Sequence, residues 1–307
     1  MAFDFAHISV PFRMQPGLQR ITAAQAQLTP LRSGSALHAE KLQVCQAGQA
    51  IFSVPGFDAS AALQTATRSL PLQVRAFLPD VPSALDLALA AEEDLCVIDG
   101  PSGHLVWLCV CTPSHWNPAT KIGHDFAAIH APVADSAALL AAAPPLLARI
   151  TQGPAAQRYW RRQAWTISPS PRYDQHPLRQ PRAPWPTQTT RPASPAATSN
   201  SAHHFASQCW LRWECQTLQP VLHPDCSTST QTLFSIRVGL LPLTQAVQQP
   251  WQAKRLADSL ASMSDAVLTY KNLLPARAAL LAWCATLARL NNPENTVKHY
   301  KIDSKKP

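Results

Sequence analysis

Four stretches of the chain have hydrophobic positions spaced as in β-strands. The run HLVWLCVCT at 104–112 is continuously apolar and is bounded by Gly103 and Pro113, which predicts a strand covered on both faces. The segment YWRRQAWTISPS at 159–170 predicts a second strand. Apolar and polar positions alternate in CWLRWECQTL at 209–218 and in TLFSIRVGLL at 232–241, which predicts two more strands.

Helical spacing appears on both sides of these strands. The predicted helices are at 36–45, 81–99, 136–150, 251–271 and 276–290. In the helix at 81–99, Leu85, Leu89 and Cys96 recur near helical spacing, and the acidic residues are expected on an exposed face. Helices, a run of mostly antiparallel strands and closing helices together predict an α+β fold.

One segment has no apolar period at all. Residues 177–200 are crowded with Pro, Ser, Thr, Ala and Arg, and we expect a flexible loop inserted between two strands.

The composition narrows the range of partners. The formal net charge is +8, but charged residues make up only 14% of the chain and no block of like charges appears, so a nucleic-acid partner is not expected. The surplus charge fits an acidic protein partner or solubility.

There is no apolar run of membrane-spanning length and no secretory leader, so we expect a cytoplasmic protein without a membrane partner. The eight cysteines include no C-x-x-C pair and are expected to be reduced core thiols.

The stretch PSHWNPATKIGHDFAAIHAPV at 113–133 places three histidines close together. His124 and His130 would be about 240° apart around a helix, so they cannot chelate a metal together. A single histidine can still hold heme iron, because the porphyrin supplies four nitrogens. His130 suits this role best, since it ends a short helical run before Pro132, which disfavours helical backbone at Ala131. A hydrogen-bonded structural histidine remains the alternative, and His115 is expected to be part of a loop.

The strand at 209–218 presents a second candidate group. Arg212, Glu214 and Gln216 lie on one face of it, opposite an apolar face. They form either a solvent-facing ion pair or a polar pocket. In a pocket, Glu214 would hold a small cationic substrate, and Arg212 would donate to bound oxygen.

An ordered set of motifs across nearly the whole chain resembles one family. The motifs are PFRMQPGL, EEDLCVID, PSHWNPATKIG, IHAPV, WTISPS followed by YDQHP, LRWECQTL, LFSIRV and YKNLL. In this order they are similar to the heme-dependent oxidative N-demethylase alpha-subunit family. The resemblance implies a PAS-like antiparallel sheet flanked by helices at 81–245, with an N-terminal extension at 1–80 packed on this core and C-terminal helices at 246–307.

The resemblance also implies an activity and a site. The expected protein is a monooxygenase-type oxidoreductase that binds heme b and uses O2 to oxidise a small secondary methylamine. Its electrons would come from a partner reductase with flavin and iron–sulfur centres, because the chain has no G-x-G-x-x-G element and no cysteine set for a cluster. By resemblance, His130 is the iron ligand, Lys121 a heme-propionate partner, and Arg212 and Glu214 the catalytic pair.

The chain departs from the family pattern at several of these motifs. His124 and Cys215 stand where the family usually has arginine, and Gln219, Pro220 and Val221 replace an arginine–leucine–proline sequence. A non-catalytic heme-binding sensor and a heme-free scaffold therefore remain alternative functions.

Overall fold

The computed structural model describes residues 3–14, 17–131, 133–134, 137–187, 195–222 and 230–290. Within these residues, seven antiparallel strands form one open sheet in the order β1-β5-β6-β7-β3-β4-β2. The strands are β1 (Gln19–Arg20), β2 (Ile51–Ser53), β3 (Asp94–Ile98), β4 (Leu105–Cys109), β5 (Trp160–Ser168), β6 (Trp210–Pro220) and β7 (Thr232–Pro242).

Helices precede, interrupt and follow the sheet. They are α1 (Ala36–Gln46), α2 (Ser60–Ser69), α3 (Leu72–Arg75), α4 (Ala84–Ala90), α5 (Phe126–His130), α6 (Ala137–Ala141), α7 (Ala143–Thr151), α8 (Pro195–Ser207), α9 (Leu243–Ala246), α10 (Pro250–Ala261), α11 (Asp265–Tyr270) and α12 (Arg277–Leu290). The α+β class is therefore confirmed. None of the helices in the described part of the chain is long and apolar enough to cross a membrane.

Two helical layers cover different parts of the sheet. Leu211 of β6 and Ile167 of β5 pack in one core cluster with residues of α8, α10 and α12, including Trp283. Leu95 of β3 packs in a second cluster with residues of α1, α2 and α4, including Leu87. Alternate positions of the same strands face the opposite side of the sheet, which is where the candidate site lies.

The four predicted strands are confirmed, but the helix predicted at 81–99 is wrong beyond residue 90. Ala91 leaves α4 with extended backbone, and β3 then pairs with both β4 and β7 at the centre of the sheet. The acidic residues are not exposed: Glu93 and Asp94 are only 6% and 2% exposed. Glu93 accepts hydrogen bonds from Thr29, and Asp94 lies 3.3 Å from the buried ammonium of Lys41. These distant partners compensate for the burial of charge.

Two further differences concern helix boundaries. The helix predicted at 251–271 is two helices, α10 and α11, because Ser264 caps the second one by accepting a hydrogen bond from Val267. The prediction of a loop at 177–200 is wrong from residue 195, where helix α8 begins, and residues 188–194 lie outside the described residues. In α8, Ala202, Phe205 and Ala206 have helical spacing and pack in the core.

The first eighty residues contribute to the sheet itself. Strand β1 pairs with β5 and strand β2 pairs with β4, so each forms one edge of the sheet. The boundaries expected at residues 80 and 245 remain predictions.

Candidate functional site

A cavity of about 560 Å³ lies between the sheet and helices α5, α7 and α11. This volume is in the range of cofactor and ligand sites. The apolar residues of its lining include Cys96, Leu105, Leu146, Leu218, Phe234 and Ile236. The polar residues of its lining, called the polar wall below, include Ser114, His115, Arg162, Gln175, Glu214 and Tyr270. All four site residues expected from the sequence, Lys121, His130, Arg212 and Glu214, line this cavity.

His130 ends α5, as the sequence predicts. Asp125 caps the start of this helix by accepting a hydrogen bond from the Ala128 backbone N–H. Ala131 nevertheless keeps helical backbone angles (φ −51°, ψ −36°), so the expectation that Pro132 forces it out of the helical region is wrong. Pro132 itself lies outside the described residues.

The tautomer of His130 follows from its one hydrogen bond. Its Nδ1 lies 2.8 Å from the carbonyl oxygen of Phe126, and its ring stacks on the Phe126 ring with centroids 3.9 Å apart. A carbonyl can only accept, so Nδ1 carries the proton and Nε2 carries the lone pair. Burial lowers the pKa of His130, which favours the neutral imidazole.

This environment fits heme. An axial ligand needs a neutral imidazole whose Nδ1 is held by a second group, and His130 meets both conditions in a cavity that apolar side chains also line. Among the described residues, Nε2 of His130 has no hydrogen-bond partner, and no cluster of three or more His, Cys, Asp or Glu could hold a metal ion.

Lys121 lies beside the same helix. Its Nζ donates to the carbonyl oxygen of Ile129 at 3.1 Å, and its half-buried side chain lines the cavity. The backbone contact fixes the ammonium near His130 and leaves two of its three N–H groups for another acceptor.

His115 also lines the cavity, whereas the sequence indicated only a loop residue. Its backbone lies in the left-handed region (φ 60°), and its buried Nδ1 has no partner among the described residues. Burial, with smaller contributions from Arg182 and Arg212, lowers the pKa of His115 to about 4. His124 is exposed and does not line the cavity.

A hydrogen-bonded row joins Arg212 to Glu214. Arg212 Nε donates to Ser114 Oγ at 2.9 Å, and the Ser114 hydroxyl donates to Glu214 Oε1 through a short hydrogen bond. Gln216 Nε2 donates to the other carboxylate oxygen of Glu214 at 2.6 Å. Ser114 is held in position by an isolated parallel β-bridge, a backbone pairing, with Gln175 in the loop after β5. Both oxygens of Glu214 are therefore held in place at the polar wall.

Arg212 is engaged mainly with backbone. The residue is 1% exposed, and its remaining bonds go to the carbonyl oxygens of Arg172, Thr112 and Tyr173 at 3.0–3.2 Å. Four of its five N–H donors are thus used by described residues. The guanidinium holds the loop after β5 against the end of β4.

The cavity residues that were not singled out from the sequence include Arg162, Tyr270 and Lys271. Arg162 lies on β5 directly opposite Gln216. Lys271 Nζ donates to the Trp165 carbonyl oxygen at 2.8 Å and lies 5.4 Å from the centroid of the Phe12 ring. Burial lowers the pKa of Lys271 to about 8, although Glu214 opposes this shift. Burial, with Glu214 adding to it, raises the pKa of Tyr270.

Most of the chain matches a known family. Residues 61–281, which are 221 of the 307, match the family described as "Haem-dependent oxidative N-demethylase, alpha subunit-like". No curated protein matches the chain. The family match confirms the resemblance that the ordered motifs indicate.

Proposed function

Because the chain belongs to the haem-dependent oxidative N-demethylase, alpha subunit-like family, we propose that it is a heme-binding subunit that oxidises a small N-methylated amine in this cavity. The observation that most supports this proposal is that the His130 imidazole and the Glu214 carboxylate line the same cavity. The imidazole has a fixed tautomer, the carboxylate is held by two donors, and apolar side chains line the cavity together with them. The PAS-like identity of residues 81–245 is part of the same proposal.

His130 and Lys121 are the residues that would hold the cofactor. His130 would give Nε2 to the iron, and Lys121 would donate to a propionate. Heme b, when bound, supplies the one-electron and O2 chemistry that amino-acid side chains lack. The "alpha subunit-like" description fits a partner that delivers the electrons, and we propose a reductase with flavin and iron–sulfur centres.

Glu214 is the proposed binding residue for the amine. A carboxylate has about four acceptor positions, and Ser114 and Gln216 use two of them, so acceptor capacity remains for a protonated amine. The two existing bonds orient the carboxylate before the substrate arrives, which reduces the entropy lost on binding.

Arg212 has a more restricted role than the sequence alone indicates. Only one Nη1 N–H remains for a ligand after its four bonds within the described structure. We propose that this donor and the positive charge of Arg212 favour negative charge on oxygen in the cavity, while its other bonds position Ser114.

An anaerobic titration of the heme-loaded protein with dimethylamine tests the proposal. A saturable change in the heme absorbance spectrum is expected, because the amine would bind at Glu214 in the same cavity. A heme-loaded protein whose spectrum does not respond at any amine concentration would instead be a heme-binding sensor or scaffold.

A further inference from the structure

The charges that line the cavity are unbalanced. Its described lining includes five cationic side chains, those of Lys121, Arg162, Arg182, Arg212 and Lys271, and a single carboxylate, that of Glu214. With heme bound as proposed, its two propionates offset two of these charges, and a simple amine cation would still enter a wall that holds more positive than negative charge. Like charges at short range oppose such binding.

Arg162 differs from the other cations of the lining because its guanidinium is partly buried and unbonded, whereas Arg182, which also makes no side-chain hydrogen bond within the described part of the chain, is exposed. Its Nε is buried and has no hydrogen-bond partner, and its guanidinium makes no hydrogen bond or ion pair with the described residues. Burial lowers the pKa of Arg162, with Glu214 opposing this shift. A buried guanidinium is normally paired with acceptors, as that of Arg212 is. The N–H donors of Arg162 are therefore unused by the residues that the structure describes, and a ligand can supply the missing acceptor.

The register of the sheet places Arg162 next to Glu214. Arg162 is directly opposite Gln216, and Glu214 is two residues further along the same strand, opposite Ala164. Diagonal neighbours of this kind are about 7–8 Å apart at the backbone, and both side chains line the cavity. The two side chains form no ion pair with each other, although Glu214 is near enough to oppose the lowering of the Arg162 pKa, so a small molecule that carries both charges can pair with both.

We propose that the polar end of the cavity binds a zwitterionic substrate, an N-methylated α-amino acid, with its carboxylate on Arg162 and its ammonium on Glu214. This inference rests on the proposed function and specifies its substrate class. The planar guanidinium can donate two parallel hydrogen bonds to a carboxylate, which Lys271 with its single ammonium cannot do. Lys271 adds positive charge near both residues, since Glu214 opposes the lowering of its pKa and Arg162 adds to it.

Calorimetric titration of the heme-loaded protein compares two probes, N-methylglycine and dimethylamine, which differ by a carboxylate. N-methylglycine is expected to bind at least about tenfold more tightly, the effect of a charge-assisted pair. Arg162→Gln should weaken N-methylglycine binding by about tenfold to a hundredfold and leave dimethylamine binding unchanged or improved. Arg162→Lys keeps the charge and should retain part of the preference; it also serves if the Gln variant does not fold.

The matched control is Arg161→Gln. Arg161 precedes Arg162 on β5, points to the opposite face, and bonds to the Gln25 carbonyl oxygen and to Thr217. This variant should keep the preference for N-methylglycine. Its loss in both variants would show a general disturbance of β5 and would overturn the assignment to Arg162.

Three other outcomes would overturn the inference, and they separate it from the proposed function. Equal or weaker binding of N-methylglycine, with dimethylamine still bound, contradicts the substrate class and leaves the N-demethylase proposal standing. Binding of neither probe contradicts both. A heme propionate is the competing source of a carboxylate. If Arg162→Gln weakens binding of heme but not of heme dimethyl ester, Arg162 holds a propionate instead of a substrate.

Discussion

Replacing Arg212 by leucine tests whether this residue holds the polar wall together. The guanidinium donates to three backbone carbonyl oxygens and to the hydroxyl of Ser114, and the residue is 1% exposed. Leucine fills much of the volume but donates nothing. Water has little access to this position, so the four acceptors lose a donor that solvent cannot replace.

The expected loss follows from these four bonds. Each buried acceptor left without a donor costs about 1–3 kcal/mol, and the apolar leucine side chain recovers part of this. We expect a net decrease of about 3–6 kcal/mol in the free energy of unfolding. For a chain of 307 residues that corresponds to a melting temperature lower by roughly 5–9 °C. The free energy of unfolding of Arg212→Lys should lie between those of the parent and of Arg212→Leu, since one ammonium cannot reach all four acceptors.

Chemical denaturation by urea measures the effect, with Arg161→Leu as the control on the opposite face of the sheet. The control should change the free energy of unfolding by less than about 1 kcal/mol, because its side chain is less buried. An Arg212→Leu protein as stable as the parent would refute the reasoning. It would mean that the loop after β5 does not depend on the guanidinium.

Three further predictions concern other charged side chains. Glu214→Gln should keep heme uptake but weaken dimethylamine binding by about tenfold to a hundredfold, as measured by the anaerobic titration. Lys271 has its pKa lowered to about 8, so the unfolded chain binds more protons between that pH and the usual lysine value. The parent should therefore gain up to about 3 kcal/mol of stability as pH rises through this range, and Lys271→Met should lack this gain in urea titrations at pH 7.5 and pH 10. Lys41→Met leaves Asp94 buried without its cation and should lower the free energy of unfolding by about 3–5 kcal/mol. Adding Asp94→Asn removes the unpaired charge and should restore part of this stability, as measured by thermal melts.

The polar wall could be predicted in part because strand alternation is local. The period of two in residues 209–218 is sufficient to place Arg212, Glu214 and Gln216 on one face. The same alternation in residues 159–170 places Arg162, Ala164 and Thr166 together. Their position beside Glu214 depends on the register of β5 against β6, which no local pattern specifies. That is why Arg162 was missed.

The error at β3 has a different physical cause. Acidic residues before an apolar run favour an exposed helix on the basis of local pattern alone. In the folded chain, Asp94 is compensated by Lys41 and by Thr112, which donates to its carboxylate at 2.6 Å and 2.7 Å. Partners so distant in sequence cannot be recognised from spacing.

The central claim is that His130 holds heme in this cavity, and heme titration of the purified protein followed by absorbance tests it most directly. The parent and His115→Ala should both develop a Soret band with one heme per chain, because His115 is not the proposed ligand. His130→Ala should fail to develop this band while keeping the far-ultraviolet circular dichroism of the parent. Heme binding by His130→Ala with unchanged affinity would contradict the account.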